Sequence, residues 1–363
     1  MKLNRLAALG AIAAVASLSL TACAANEGAP AASESASALQ GTLNGSGATS
    51  QQVAIQAWTA QFQSQNEAVT VNYDPQGSGT GRESFQSGAV QFAGSDRAFK
   101  TDEISTGTFG ACAADSDIVE IPAYISPIAV IFTLDGVDEL DLDAKTLAGI
   151  FAGTITSWDD PAIAATNPDA QLPATKITPV HRSDKSGTTA NFTDYLAANA
   201  PDVWTAGSVE EWPTATGEAA QGTSGVVNAV KGGQGTIGYA DSSQATGIAS
   251  VNVQVGDAFV GHSAEGAAIA VDASPAEEGR ADTDLAIKID RTTTAEGAYP
   301  VVLVSYLIGC AQYEDANTAA LVKGFFSAAI STDGQNASAD NAGSAPISDA
   351  LRTKAAAAVD AIK

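Results

Sequence analysis

The sequence predicts an α/β protein. Short stretches with apolar residues at alternate positions are followed by stretches with apolar residues at helical spacing, and the alternation repeats along the chain. Three of the strand-to-helix junctions also share one loop chemistry, rich in Gly, Ser and Thr. Strands and helices in steady alternation argue for a sheet flanked by helices.

The chain opens with MKLNRLAALGAIAAVASLSLTA, residues 1–22, which has a short basic start at Lys2 and Arg5, an apolar middle and small residues at its end. That is the pattern of a secretory signal, with an apolar part too short to span a bilayer. Leu20-Thr21-Ala22-Cys23 follows the bacterial lipobox pattern, in which Cys23 carries the lipid of the mature chain. The plainer alternative is a signal peptide with a cysteine near its cleavage site. Residues 24–38, AANEGAPAASESASA, hold nothing large to bury, so 23–38 is predicted to be a flexible tether. The folded part starts near Leu39, and its length suggests two domains. No later stretch is long and apolar enough to cross a bilayer.

The first junction is LQGTLNGSGATSQQVAIQAWTAQF. Leu39, Gly41 and Leu43 alternate, a loop runs from Gly45 to Ser50, and Ile55, Trp58 and Phe62 recur at helical spacing. Thr49 or Ser50 is the expected N-cap. In the second, Val69, Val71 and Tyr73 alternate, and Gly77-Ser78-Gly79-Thr80-Gly81 is predicted to be a loop before a short helix. A further short strand, Val90 to Gly94, ends in Ser95-Asp96-Arg97. The third junction enters on Ile177 to Val180, turns from Arg182 to Gly187, and continues into a helix marked by Phe192, Tyr195 and Leu196.

Each helix start leaves backbone N–H groups unpaired and carries partial positive charge, which favours an anion. Glycines let the backbone approach closely, and hydroxyls add donors without net charge. Asp96 is the odd piece. A carboxylate beside an anion is tolerable only if the anion brings a proton for it to accept, as phosphate does and sulfate at neutral pH does not.

Composition narrows the partners. With 17 Lys and Arg against 41 Asp and Glu, the net charge is −24, and removing residues 1–22 takes away two cations and no anion. Such a surface repels nucleic acid and acidic lipid at long range, so an anionic ligand needs oriented short-range donors. Beyond Cys23, Cys112 and Cys310 remain; in an exported protein they are most simply a disulfide, and otherwise two buried thiols. With only His181 and His262 and no close Cys/His spacing, no metal cluster is expected, and no cofactor. GSGTG lacks a following Lys-Ser or Lys-Thr, so it is no P-loop, and G-x-G-x-x-G is met at neither Gly45 nor Gly77. His181 and Ser186 share a loop without a G-x-S-x-G elbow, which argues against a hydrolase.

The pieces GSGATS (45–50), VNYDPQGSGTG (71–81), FAGSD (92–96), TLAGIFAGTITSWDDPAIAATNP (146–168), HRSDKSGTTANFTDYL (181–196) and GTSGVVNAVKGGQGTIGYA (222–240) are spread along the mature chain from residue 45 to residue 240. In content, order and spacing they resemble the extracytoplasmic phosphate-binding component of bacterial high-affinity phosphate ABC transporters. The resemblance implies a two-lobed periplasmic-binding-protein fold (type II), with inorganic phosphate buried between lobes joined by hinge strands. One lobe would combine 39–124 with 299–363, and the other would be 125–298. Hinges are expected near Ile121–Ile128 and Ala298–Leu303, with the apolar run SPIAVIFTL at 126–134 entering the second lobe.

By the same resemblance, Thr49 is a hydroxyl and amide donor and Ser50 an amide donor at the first loop. Many relatives have an aromatic where Ser50 stands. Ser78 is the second-loop donor, and Asp96 accepts the phosphate proton. Arg182 is the ligand-facing arginine, oriented by Asp184, and Ser186, Gly187 and Thr188 are the helix-start donors of the other lobe. Lys185 is expected to point to solvent, and Arg82 and Arg97 to stand aside or line the cleft mouth. Cys112 and Cys310 both fall in the lobe made from the chain ends. The implied function is a lipid-anchored, monomeric solute receptor on the outer face of the cell membrane, delivering phosphate to a permease and its ATPase. A surface sensor or adhesin with the same fold is the alternative, and a secreted phosphatase a weaker one.

Overall fold

The computed structural model describes residues 39–363. The signal, Cys23 and the tether lie outside the described residues. In chain order the elements are β1 (Gly41–Gly47), α1 (Gln52–Gln65), β2 (Val69–Asp74), α2 (Ser78–Gln86), β3 (Phe92–Ser95), α3 (Thr101–Thr106) and β4 (Ile118–Thr133). Then come β5 (Glu139–Leu142), α4 (Ala144–Ala152), α5 (Pro161–Thr166), β6 (Thr178–Arg182), α6 (Gly187–Asn199), β7 (Glu218–Ala220), α7 (Gly222–Gly232) and β8 (Thr236–Asp241). β9 (Ala249–Val255), β10 (Ala258–Val260), α8 (Ala264–Asp272), β11 (Val302–Cys310), α9 (Ala316–Ile330), α10 (Thr332–Ala342) and α11 (Asp349–Asp360) complete the chain.

The strands form one path, β2-β1-β3-β11-β4-β8-β6-β7, with β9 branching from β4 toward β5 and β10. This is the α/β class that the alternation predicts. β4 joins the two halves of the path. Its residues Ile118 to Pro127 pair antiparallel with β11, and Ile128 to Thr133 pair with β8. At the change of partner, Ile128 N donates to Val301 O at 2.8 Å. The strand reads IVEIPAYISPIAVIFT and is buried almost to its end, as a strand covered on both faces should be. Two prolines interrupt its donors. Opposite the first, the register shifts: Ser305 faces Tyr124 and Tyr306 faces Pro122, leaving Ala123 unpaired in a bulge. The carbonyl of Ala123 is instead taken by Gln335 Nε2 at 2.9 Å.

The segment 276–287 returns along the first half of β4. Glu120 N donates to Thr283 O, Leu285 N donates to Glu120 O, and Arg280 reaches Asp284 and the carbonyl of Phe99. The main core runs through both halves of the path and includes Trp58, Phe85, Phe92, Phe132, Phe151 and Phe192, all fully buried. A smaller cluster under α7 is built from Ala129, Ile131, Val180, Val226 and Val230. Cys310, the last residue of β11, is disulfide-bonded to Cys112.

Candidate functional site

β1 runs parallel to both β2 and β3, and β6 runs parallel to β7 and β8. The loops that follow β1, β2, β3 and β6 therefore leave the sheet at strand C-terminal ends, the edge where α/β proteins place ligands. Those loops and the helix starts beyond them carry Thr49 and Ser50, Ser78, Asp96, and Ser183 to Thr188, with Arg182 at the end of β6.

The structure gathers most of the predicted residues round the Asp96 carboxylate. Ser50 Oγ donates to Oδ1 at 2.6 Å, and Thr188 Oγ1 donates to Oδ2 at 2.9 Å. The Asp96 N–H donates to Ser78 Oγ at 3.1 Å, and Asn191 Nδ2 donates to the Asp96 carbonyl at 2.7 Å. Gly187 lies against the same group. A Cβ there would stand 2.5 Å from Ser78 Oγ and 2.7 Å from Asp96 Cβ, so only glycine lets the start of α6 come this close. Burial pushes the Asp96 carboxyl above its ordinary pKa, opposed by hydroxyl hydrogen bonds, Ser50 foremost, and by the Arg182 charge. A carboxylate so placed favours a ligand that brings a proton to it.

Arg182, 3% exposed, ends β6 and is gripped from one side. Its Nε donates to Asp184 Oδ1 at 2.8 Å and its Nη2 to Oδ2, while Nη1 has no protein acceptor among the described residues. Asp184 is held in turn by Gly222 N at 3.0 Å. Burial alone would raise the Asp184 carboxyl, but its bonds to the Arg182 guanidinium bring it below its ordinary range. It stays ionised and keeps the guanidinium aimed.

The backbone completes the donor set. Among the described residues the N–H groups of Thr49, Ser50, Ser78, Gly187 and Thr188 donate to no protein acceptor. Those of Ser78, Gly187 and Thr188 belong to the first turns of α2 and α6, which leave such groups free, and those of Thr49 and Ser50 lie just ahead of the N-cap of α1. Ser186 serves differently. Its Oγ accepts from Thr189 N at 3.1 Å as the N-cap of α6, and its own N–H donates to Glu210 O at 3.0 Å.

Three expectations need correction. The N-cap of α1 is Gln51, without a side-chain cap bond, because the hydroxyls of Thr49 and Ser50 are engaged by Thr223 and Asp96. GSGTG is the first turn of α2, not a loop before it: the helix begins at Ser78. Its glycines serve close packing, since a Cβ on Gly81 would stand 2.4 Å from Gly47 Cα. Arg82 is no bystander, for it is buried and bound to Glu210. Lys185, although half exposed, pairs with Glu83.

Sequence reasoning missed Thr223, Asn191, Glu210 and Gln244. Thr223 N donates to Thr49 Oγ1 at 3.1 Å, and the two hydroxyls lie 2.9 Å apart. Gln244 Nε2 donates to the Thr49 carbonyl at 3.2 Å. Thr223 alone had a readable signal, because GTSG at 222–225 repeats the glycine-hydroxyl chemistry of the other helix starts. His181 lies within β6, stacked on Trp212 at 4.8 Å, and takes no part in the cluster. Among the described residues no group of His, Cys, Asp and Glu could hold a metal ion, and no helix is long and apolar enough to cross a membrane.

The sequence profile of the PBP superfamily domain matches residues 32–332. Phosphate-binding protein PstS 3 of Mycobacterium tuberculosis (strain ATCC 25618 / H37Rv) is 35% identical over 381 residues, covering 100% of both chains. The chain belongs to the phosphate-binding protein PstS family. A more distant PstS, from Xylella fastidiosa (strain Temecula1 / ATCC 700964), is 32% identical over 286 residues, covering 76% of this chain and 73% of its own. Among solved structures, the high affinity periplasmic phosphate-binding protein PfluDING, bound with phosphate, superposes with a TM-score of 0.72 at 23% identity. That match covers 87% of this chain and 93% of the other. The phosphate-binding protein from Stenotrophomonas maltophilia gives 0.65 at 19% identity, covering 88% and 94%. The PstS-family chain thus has the two-lobed PBP fold, as the resemblance implies.

Proposed function

We propose that the chain captures inorganic phosphate between its two lobes outside the cytoplasm and delivers it to an ABC permease and its ATPase. One observation carries this reading: unpaired N–H groups at the starts of α2 and α6 and just ahead of α1, with a free edge of Arg182, stand at the sheet edge that holds a buried carboxylate. Neutral donors and one aimed guanidinium suit the oxygens of an oxyanion. Asp96 suits an oxyanion that still holds a proton. Thr49, Ser50, Ser78, Arg182, Ser186, Gly187 and Thr188 are the donors in this reading, Asp96 is the acceptor, and Asp184 orients Arg182. Ser186 contributes its hydroxyl, because Glu210 occupies its N–H.

The lobes are 39–124 with 299–363, and 125–298. The change of partner along β4 between Pro127 and Ile128 supports that border, with 276–287 packed back onto the first lobe. Capture and release make and break no covalent bond. The mature chain is a monomer held at the outer face of the membrane by lipid on Cys23. The name of the Mycobacterium relative and the bound phosphate of PfluDING support the choice of ligand. Calorimetric titration of the delipidated protein with phosphate, then with sulfate, tests the reading. Heat with phosphate alone is expected, and no heat with phosphate would overturn it.

A further inference from the structure

Glu210 lies between α6 and β7, in the half of the sheet built on β8, β6 and β7. Its carboxylate reaches into the other half. Arg82 Nη2, from α2, donates to both of its oxygens at 2.7 and 2.6 Å, and Arg97 Nη2, just after β3, donates to Oε2 at 2.8 Å. Both arginines are tied to the Asp96 loop. Arg82 Nη1 donates to Ser95 Oγ at 2.7 Å, and Arg97 is paired with Glu103 through two further bonds. The backbone of Glu210 points the opposite way, its carbonyl accepting the N–H of Ser186, the N-cap of α6.

We propose that Glu210 is the latch of the cleft, a positioning residue that holds the lobes together and sets how long a bound anion stays. The inference rests on the two-lobe capture reading above. The residue touches no group assigned to the ligand except through Ser186, so its action is on closure. Separating the lobes would leave Arg82 and Arg97 side by side, with Glu103 pairing only one of them. The Arg82 side chain is 5% exposed and that of Glu210 18%, so the pairing is less screened than a surface one. A groove of about 510 Å³ past Arg82, Arg97, Lys185 and Glu210 opens the latch to water and salt. Contacts made only in the closed state act on dissociation more than on encounter.

The test is stopped-flow phosphate binding and release on the mature protein, comparing wild type, Glu210→Gln and Glu210→Ala, with exposed Glu211→Gln as the control. Both Glu210 variants should release phosphate at least about tenfold faster while association changes by less than about twofold. Release from wild type should quicken with salt, and release from Glu210→Gln should respond less. A Glu210→Gln release rate equal to that of wild type and of Glu211→Gln overturns the latch. Small-angle X-ray scattering without ligand gives a second readout. Should wild type bind no phosphate, the capture reading fails, and the radius of gyration then decides the latch alone: larger in Glu210→Gln supports it, and unchanged overturns it.

Discussion

Thr188 donates its hydroxyl to Asp96 Oδ2 across 92 residues of sequence, while Ser50 donates to Oδ1 from the opposite side. Both oxygens of the carboxylate are thus tied to the two halves of the sheet, and the group cannot turn away from a ligand.

On the proposed function, that constraint assigns to Asp96 the discrimination between anions. Sulfate would bring a bare oxygen against it, and a site that leaves buried polar groups unpaired rejects the wrong ligand by about 10⁴–10⁵. Asp96→Asn replaces the charge with an amide whose NH₂ faces the ligand, while the Ser50 and Thr188 hydroxyls can turn to accept or donate. Phosphate affinity should stay within about tenfold, roughly 1.4 kcal/mol. The phosphate-over-sulfate ratio should fall by at least about a hundredfold. Paired titrations near pH 7 at fixed ionic strength measure both, and a variant that still ignores sulfate would assign the discrimination to the hydroxyl and N–H donors.

Arg182→Ala removes the one aimed cation and strands Asp184 beside Gly222. Losing one partner of a buried charge pair costs about 3–5 kcal/mol, so phosphate affinity should drop by about two to four orders of magnitude. Circular dichroism should show the fold intact. Unchanged affinity in calorimetry would move the site elsewhere.

Asp241 gives the pH dependence of stability a direction. It is fully buried, accepts from Tyr124 Oη at 2.9 Å and from Ser243 N at 3.0 Å, and faces no cation among the described residues. Burial raises its pKa from 3.8 to about 6. The native state therefore holds a proton that the unfolded chain has released between about pH 4 and 6, and stability falls as pH rises through that window, by about 3 kcal/mol in all. Asp241→Asn keeps the acceptor oxygen and has nothing to ionise. Urea unfolding at pH 4.5 and 7.5 should show a smaller loss for the variant than for wild type, with the variant more stable at the higher pH. Equal losses would mean that Asp241 does not titrate in this range.

The bond between Cys112 and Cys310 closes a span of 198 residues. Loop-closure entropy assigns such a link up to about 5 kcal/mol, more than any single hydrogen bond in the molecule. A Cys112→Ser/Cys310→Ser variant should unfold at clearly lower urea and lose about 2–5 kcal/mol. A loss under about 1 kcal/mol would show that the unfolded chain is already restricted along that span.

What could be read from the sequence was what adjacent residues encode. Gly, Ser and Thr before helical spacing mark helix starts wherever the chain goes next, so the starts of α1, α2 and α6 were legible to within a few residues. The alternating Val69, Val71 and Tyr73 gave β2 for the same reason. Glu210 was not legible, because its contacts with Arg82 and Arg97 span 128 and 113 residues and nothing beside it announces them. Thr223 reaches Thr49 over 174 residues and Asn191 reaches Asp96 over 95. The misplaced N-cap of α1 has the same origin: local preference put the Thr49 and Ser50 hydroxyls on the helix, and distant partners took them.

β11 sits between β3 and β4 in the sheet yet is the last strand to be made. Until Val302–Cys310 leaves the ribosome, β3 and β4 present each other with unpaired edges, and Cys112 has no partner. Those two edges therefore wait on residues some two hundred positions downstream, a contact pattern that slows folding.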